Sequence, residues 1–123
     1  LNVNGTAAIQ GITIRDDLFE RYRSSEDFIQ KYIFPGGFLP SLGFMKSLIK
    51  KNNLNLLKVN SYPDDYAKTL ATWRENFLKV WTNIAPLGFD ETFKRMWEFY
   101  LSYCEAGFKS KNIDLIQFSM SNK

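Results

Sequence analysis

The spacing of apolar residues along the chain predicts three β-strands and four α-helices. In residues 6–14 the side chains of Ile12 and Ile14 share one face with Gln10 and Ala8, which is the period of a strand. Residues 54–59 and 113–120 are short and apolar, and they predict two further strands. Two helices are expected before the middle strand and two after it.

Helix-start and helix-stop residues delimit the first two predicted helices. The polar run at 24–27 begins one helix, because such side chains accept hydrogen bonds from free backbone N–H groups, and Pro35 with the glycines after it ends it. Pro40 and Ser41 begin the second helix, which ends at Asn52.

The other two helices are longer and carry apolar residues at every third or fourth position. A turn at 61–63 precedes the first, which is predicted to be capped by Asp64 or Asp65 and to continue to Ile84. Asp90 is predicted to cap the second. The apolar stripes of the two helices consist of Tyr66, Leu70, Trp73, Phe77, Val80, Trp81 and Ile84, and of Phe93, Met96, Trp97, Tyr100, Tyr103, Cys104 and Phe108.

This order of elements predicts an α/β fold with a sheet of only three strands. Three strands leave a sheet edge open, and an open apolar edge promotes association with other strands. We therefore expect either further chain before Leu1 or a second copy of the protein at that edge, which would make a homo-oligomer.

Composition excludes several classes of active site. The chain has 123 residues, 45% of them hydrophobic, with one cysteine and no histidine. The length and apolar content predict one folded domain or part of one. These residues alone form no Ser-His-Asp or Cys-His catalytic site, no histidine metal site and no thiolate zinc cluster. A single cysteine makes no internal disulfide, so we expect a reducing, cytoplasmic setting.

Positive charge is concentrated in residues 28–62, which contain five lysines and no acidic residue, while the whole chain has a net charge of +3. Six aromatic residues are interleaved with these lysines. The simplest interpretation is a solvated face. Among functional interpretations, an anionic membrane is favoured over nucleic acid, because lysine lacks the bidentate contacts of arginine.

The second predicted helix has the pattern of a helix that lies at a membrane interface, with apolar residues on one side and lysines on the other. These residues are Leu42, Met45, Leu48 and Ile49, and Lys46, Lys50 and Lys51. The same apolar side chains can instead pack on the sheet. No run approaches the roughly 18 apolar residues of a membrane-spanning helix, and no signal peptide opens the chain, so we expect peripheral contact at most.

The residues alone do not indicate a reaction. The seven glycines form no phosphate-binding loop. The paired acidic residues occur at element boundaries, where helix capping explains them, and Cys104 on an apolar stripe is interpreted as a packing residue.

Four sequence blocks nevertheless resemble one enzyme family. Residues 27–41, DFIQKYIFPGGFLPS, resemble the YIFPGG-x-LPS signature of cyclopropane-fatty-acyl-phospholipid synthases and the related mycolic acid cyclopropane synthases. Residues 66–73 resemble the family's Y-x-x-TL-x-x-W segment, and residues 87–108 resemble its LGFD-x-x-F-x-RMW-x-x-YL-x-YCEAGF block. Residues 113–118 are similar to its last strand.

The resemblance implies a Rossmann-like methyltransferase fold with a seven-stranded sheet, of which this chain would supply the last three strands and a helical lid. Residues 1–123 would then be the C-terminal portion of a single methyltransferase domain. The loop that binds S-adenosylmethionine belongs to the preceding half of such enzymes, so the cofactor would be held mainly outside this chain.

The family's reaction moves a methyl group from S-adenosylmethionine to a cis double bond in the acyl chain of a membrane phospholipid. A bound bicarbonate ion takes a proton, and a cyclopropane ring closes. The resemblance implies that Tyr66 is the tyrosine that binds bicarbonate. It also implies that the backbone amide of Ile12 contacts this ion. Gln10 falls where well-known bacterial members have histidine; an amide can bind the anion but cannot shuttle a proton.

The resemblance also implies a group of residues that contact the acyl chain. They are Tyr32, Phe34, Gly36, Gly37, Phe38 and Trp73. Two alternatives stay open: a methyltransferase that makes a branched methyl or methylene lipid without closing a ring, and a non-enzymatic lipid-binding or assembly module.

Overall fold

A computed structural model describes residues 1–122, and the predicted α/β architecture is confirmed. Its elements in chain order are β1 (Thr6–Ile14), a 3-10 turn (Asp16–Leu18), α1 (Phe19–Arg23), α2 (Phe28–Tyr32), α3 (Leu42–Lys51), β2 (Asn55–Ser61), α4 (Pro63–Lys79), α5 (Trp81–Ile84), a second 3-10 turn (Ala85–Leu87), α6 (Glu91–Lys109) and β3 (Ile113–Ser121). No helix within residues 1–122 is both long and apolar enough to cross a membrane.

The three strands form one antiparallel sheet in the order β1-β3-β2. The last strand along the chain is therefore the central one, and β1 and β2 lie at the edges. Arg15 N–H donates to Asn112 O on the β3 side, whereas Ile14 N–H donates to Pro40 O on the opposite side. Because successive N–H groups of a strand alternate in direction, the N–H of Ile12 also points away from β3, toward the open edge.

Local capping fixes several helix ends as predicted. Asp27 caps α2 in a reciprocal arrangement with Gln30, Ser41 caps α3, and Asp90 caps α6. At α4 the predicted cap is wrong: the helix begins at Pro63, so Asp64 and Asp65 lie in its first turn. Proline suits a first helical position because its missing N–H would have no intrahelical partner.

The predicted helix from 64 to 84 is interrupted. α4 ends at Lys79 and α5 begins at Trp81, so the chain bends at Val80. Trp81 is buried there, and its indole N–H donates to Glu91 Oε1 at 3.1 Å. Burial of this ring and a partner for its N–H outweigh the few backbone hydrogen bonds that a straight helix would retain.

The main core lies between α4, α6 and one face of the sheet. Its buried side chains are Ala67, Leu70, Leu101, Cys104 and Phe108. Ile12, Ile113 and Leu115 pack against them from the sheet. The opposite face of β3 buries Ile116 and Phe118. Helices α4 and α6 therefore pack on the sheet face that carries Ile12, whereas Gln10, two residues earlier on the same face, is exposed.

Candidate functional site

A cavity of about 400 Å³ lies beside the core, between the sheet, α4, α6 and the segment that follows α2. Its walls are almost entirely apolar or aromatic. They are formed by Ile12, Tyr22, Asp27, Ile29, Gln30, Phe34, Gly37, Phe38, Leu39, Tyr66, Leu70, Tyr100, Cys104, Phe108 and Ile113. A second cavity of about 560 Å³ adjoins it, since Asp27, Ile29, Cys104 and other residues line both.

Five of the residues predicted for the site meet in the walls of the first cavity. They are Ile12, Phe34, Gly37, Phe38 and Tyr66. These residues come from β1, from the segment after α2 and from α4, so only the fold brings them together. Phe34 and Phe38 are also exposed on their outer sides, and they therefore form part of the cavity's rim.

The other predicted residues do not line this cavity. Tyr32 is 55% exposed, with the Lys31 ammonium 5.3 Å from its ring centre. Trp73 is exposed, but its ring meets that of Tyr66 edge to face at 6.0 Å. Gln10 lies on the solvent-exposed part of the sheet, beside a shallow depression.

The glycine pair shapes the turn that presents Phe34 and Phe38. Gly36 has φ +79°, a backbone region that side chains disfavour. At Gly37 a Cβ atom would come within 2.8 Å of the Phe34 carbonyl oxygen, so this position has no room for a side chain. Gln30 Nε2 donates to Gly37 O at 3.1 Å and ties the turn to α2. Gly36 therefore acts on the turn, and not on the cavity wall.

Tyr66 lies in the first turns of α4 with its ring held by aromatic neighbours. The ring packs edge to face on Phe108 at a centre-to-centre distance of 4.9 Å. Burial, and secondarily the nearby Cys104, raises the pKa of the Tyr66 phenol above its ordinary value. The hydroxyl therefore stays protonated at neutral pH, and it remains a hydrogen-bond donor inside an apolar cavity.

Sequence reasoning missed Tyr22, Asp27, Tyr100 and Cys104 as cavity residues. Burial raises the pKa of Tyr100 to about 12 and that of Cys104 to about 11, so both stay neutral in the cavity. The spacing of Tyr100, Cys104 and Phe108 along α6 predicts a buried helix face, and in the structure this face lines the cavity as well as the core. Tyr22 gave no signal, because α1 was not predicted.

Asp27 supplies the carboxylate of the cavity, and both of its oxygens already accept hydrogen bonds. Its Oδ1 accepts the Gln30 backbone N–H at 2.9 Å, and its Oδ2 accepts the Tyr103 hydroxyl at 3.3 Å. The rest of the wall offers π-faces and neutral hydroxyls. Such a cavity can bind an apolar chain, and its aromatic faces can stabilise a positive charge that develops on that chain.

Ile12 presents a backbone hydrogen-bond donor at the open edge of the sheet, and Gln10 presents a side-chain amide on the sheet face beside it. The Ile12 N–H points toward the open side of β1, as the alternation of the ladder requires. Gln10 lies two residues away, about 7 Å along the same strand face. Its amide oxygen accepts a hydrogen bond from Gln117 Nε2 at 2.9 Å.

A family model described as mycolic acid cyclopropane synthetase matches residues 1–118. The chain belongs to the mycolic acid cyclopropane synthetase family. The resemblance found in the four sequence blocks is thereby confirmed. Members of this family are S-adenosylmethionine-dependent enzymes that make cyclopropane or methyl lipids.

Two curated relatives differ in the product that their names state. The chain is 43% identical over 117 residues to the tuberculostearic acid methyltransferase of Mycobacterium tuberculosis, a match that covers 94% of the chain and 27% of that protein. It is 35% identical over 98 residues to the cyclopropane-fatty-acyl-phospholipid synthase of Escherichia coli strain K12, covering 78% of the chain and 25% of that protein. The chain thus spans about a quarter of these family members.

Solved structures of the family confirm the Rossmann-like methyltransferase fold. A mycolic acid cyclopropane synthase complexed with SAH and CTAB matches with a TM-score of 0.85 and 26% identity. The match covers 98% of this chain and 45% of that one.

Proposed function

We propose that this chain is part of an enzyme that methylates the cis double bond of an unsaturated phospholipid acyl chain and closes a cyclopropane ring. In this reaction a methyl carbon leaves the sulfonium of S-adenosylmethionine and bonds to one alkene carbon. The other alkene carbon becomes cationic, and loss of a proton from the new methyl group closes the ring.

The observation that carries this proposal is the cavity itself. Ile12, Phe34, Phe38 and Tyr66 come from three parts of the chain to one apolar space with neutral hydroxyls. An acyl chain fits such a wall, and the aromatic faces favour a carbocation over its neutral precursor. The alkyl-chain detergent CTAB in a solved family member points to the same class of ligand.

Bicarbonate fits the donors that this chain presents. The Ile12 N–H at the open edge, the Gln10 amide and the Tyr66 phenol are all donors, and none of these three groups carries a negative charge that would repel an anion. We assign them the role of holding the ion that accepts the proton. In contrast, we assign no residue of this chain to the binding of S-adenosylmethionine, because the sequence has no glycine-rich loop to bind it. This division supports placing residues 1–123 as the C-terminal portion of one methyltransferase domain.

A second candidate is a branched methyl or methylene lipid formed without ring closure. The 43% identical relative is named for such a product. The resemblance also places Gln10 where well-known bacterial members of the family have histidine. A glutamine amide cannot relay a proton as an imidazole can, so removal of the proton that closes the ring would rely on bicarbonate alone.

Product analysis distinguishes the two candidates. The complete protein that contains this chain would be incubated with S-adenosylmethionine and vesicles of a phospholipid with one cis double bond. Gas chromatography with mass spectrometry should reveal a fatty acid heavier by one CH₂ group that resists mild hydrogenation, as a cyclopropane does. A product of the same mass that takes up hydrogen would indicate a methylene branch, formed by proton loss without ring closure. A product two hydrogens heavier would indicate a saturated methyl branch, which requires a reductant. Absence of methyl transfer to every unsaturated lipid tested would refute both.

A further inference from the structure

Gln10 has a specific partner on the neighbouring strand. The sheet register places Gln10 directly opposite Gln117, and Gln117 Nε2 donates to Gln10 Oε1 at 2.9 Å. The direction of the ladder makes this a non-hydrogen-bonded backbone pair, the kind in which opposite side chains lie closest. The contact is therefore built into the register of β1 and β3.

This hydrogen bond decides which end of the Gln10 amide faces outward. A carboxamide has one acceptor oxygen and one NH₂ group, and here the oxygen is occupied. Within residues 1–122 the Gln10 Nε2 donates to no side-chain or backbone acceptor. Turned the other way, the same side chain would present an oxygen and repel an anion.

We propose that Gln117 is a positioning residue, which orients the Gln10 amide so that its NH₂ group faces the anion site. The inference rests on the proposed function, because it assumes that Gln10 and the Ile12 N–H hold bicarbonate. Gln117 itself lies on the central strand, one strand spacing of about 4.8 Å from the open edge, and it acts through Gln10 alone.

The decisive variant is Gln117→Glu in the complete protein. A carboxylate at this position accepts hydrogen bonds only, so it draws the Gln10 NH₂ group toward itself and turns the amide oxygen to the site. We expect the KM for bicarbonate to rise about ten-fold or more, with kcat at saturating bicarbonate nearly unchanged, since a hydrogen bond to an ion is worth about that factor.

Asn60→Asp is the matched control. Asn60 lies opposite Gln117 on its other side, on β2, so this variant adds the same charge at the next strand without contacting Gln10. We expect its KM for bicarbonate to stay within about two-fold of the wild type. Gln117→Met, which removes the donor without adding charge, should give an intermediate rise; it keeps the test valid if Gln117→Glu fails to fold.

A titration of the complete protein with isotope-labelled bicarbonate, followed by carbon NMR without lipid, supplies a readout that does not depend on turnover. The Kd should rise in Gln117→Glu and Gln117→Met but not in Asn60→Asp. Equal Kd values in all variants, or an equal rise in Asn60→Asp, would overturn the positioning role. A wild-type protein that methylates lipid but does not bind bicarbonate would overturn the anion site and this inference with it, while leaving methyl transfer intact.

Discussion

Burial acts on Tyr66 and Cys104 in the same direction, toward the protonated form. The pKa of the Tyr66 phenol and that of the Cys104 thiol are both raised, in each case chiefly by removal from water. A thiol with a pKa of about 11 carries almost no thiolate at neutral pH, so Cys104 is a wall residue and not a nucleophile. Tyr66 keeps its proton and can donate it in a hydrogen bond.

Replacing Tyr66 by phenylalanine should lower turnover of the complete protein by roughly 10²-fold, because one donor to the reacting assembly is lost. The thermal midpoint should change little, since the ring keeps its contacts with Trp73 and Phe108. Tyr100→Phe is the control, because it removes another phenol of the same cavity. Full activity of Tyr66→Phe would exclude Tyr66 from the site.

The raised pKa of Cys104 also predicts how stability depends on pH. In the unfolded chain the thiol ionises near pH 9, whereas in the folded chain its pKa is about 11. Between these values the unfolded state loses its proton first, so the free energy of unfolding falls as pH rises from 9 to 11, by at most about 2 to 3 kcal/mol.

In Cys104→Ala that part of the decline should disappear, and the remaining loss should begin near pH 10, where tyrosines such as Tyr100 ionise in the unfolded chain. Urea unfolding at a series of pH values measures both curves. Parallel curves between pH 9 and 11 would contradict the buried, protonated state of the thiol.

At the scale of elements, features that depend on neighbouring residues could be predicted from the sequence, and features that depend on tertiary contacts could not. The caps at Asp27, Ser41 and Asp90 depend on residues a few positions apart, so the sequence sufficed for them. Helix α1 was not predicted. The burial of its Phe19 depends on ring contacts with Phe38 and Phe44, which lie far along the chain. In the same way the family motifs predicted residues of the cavity wall, but only the fold joined them to Tyr22 and Tyr100.

Helices α4 and α6 are joined by a largely buried ion pair. Glu105 is 7% exposed and contacts Arg74 at 3.1 Å, and Lys109 reaches the same carboxylate from the next turn of α6. Arg74 also donates to Ser102 Oγ at 2.7 Å. Both helices line the cavity, so this cluster holds together the two helices that form part of its wall.

Arg74→Ala should lower the free energy of unfolding by about 2 to 3 kcal/mol, because it leaves the buried Glu105 carboxylate with one partner fewer. Lys109→Ala is the control: its ammonium is mostly exposed, so its loss should cost about 0.5 kcal/mol. Urea unfolding measures both. If Arg74→Ala and Lys109→Ala lower the free energy of unfolding equally, the ion pair between the helices contributes no more to stability than the exposed ammonium of Lys109 does.

Helix α3 presents lysines and exposed apolar side chains together. Phe44 and Leu48 are exposed, whereas Met45 and Ile49 are half-buried, so the helix uses only part of its apolar face for packing. Exposed rings beside ammonium groups are typical of surfaces that contact anionic lipid. This supports the membrane interpretation of the basic segment as a proposal.

Replacing Lys46, Lys50 and Lys51 by glutamate should weaken binding to vesicles that contain anionic phospholipid by more than about a hundred-fold, since each lysine near such a surface is worth about 1 kcal/mol. The same change at the exposed residues Lys68, Lys79 and Lys111 controls for net charge. Co-sedimentation with anionic and neutral vesicles measures the difference. Equal losses in the two triple variants would remove α3 from the contact.

For the whole molecule, the order of strands in the sheet was beyond the sequence pattern alone. Periodicity predicted three strands but not that β3 lies between β1 and β2, because pairing is decided by contacts distant in sequence. Within residues 1–122 no strand pairs with the outer edge of β1. This is the edge that carries the Ile12 N–H, so any strand or chain copy that pairs there adjoins the candidate anion site.

The chain should self-associate through this edge as its concentration rises. Ala8→Pro tests it, because the Ala8 N–H points away from β3, by the same alternation that applies to Ile12 and Ile14. The variant should fold and remain monomeric in analytical ultracentrifugation. Ala7→Pro, in contrast, removes an N–H that bonds to β3 and should unfold the chain. Association that persists in a folded Ala8→Pro variant would place the contact elsewhere.

The central position of β3 also sets the order of events during synthesis. Within residues 1–122, β1 and β2 make no ladder with each other, so neither has a strand partner among these residues until β3 is synthesised. The helices between them can form early from local contacts, whereas the sheet closes only when residues 113–121 emerge. A chain that ends before β3 would therefore keep these helices, but its β1 and β2 would lack the strand that joins them into one sheet.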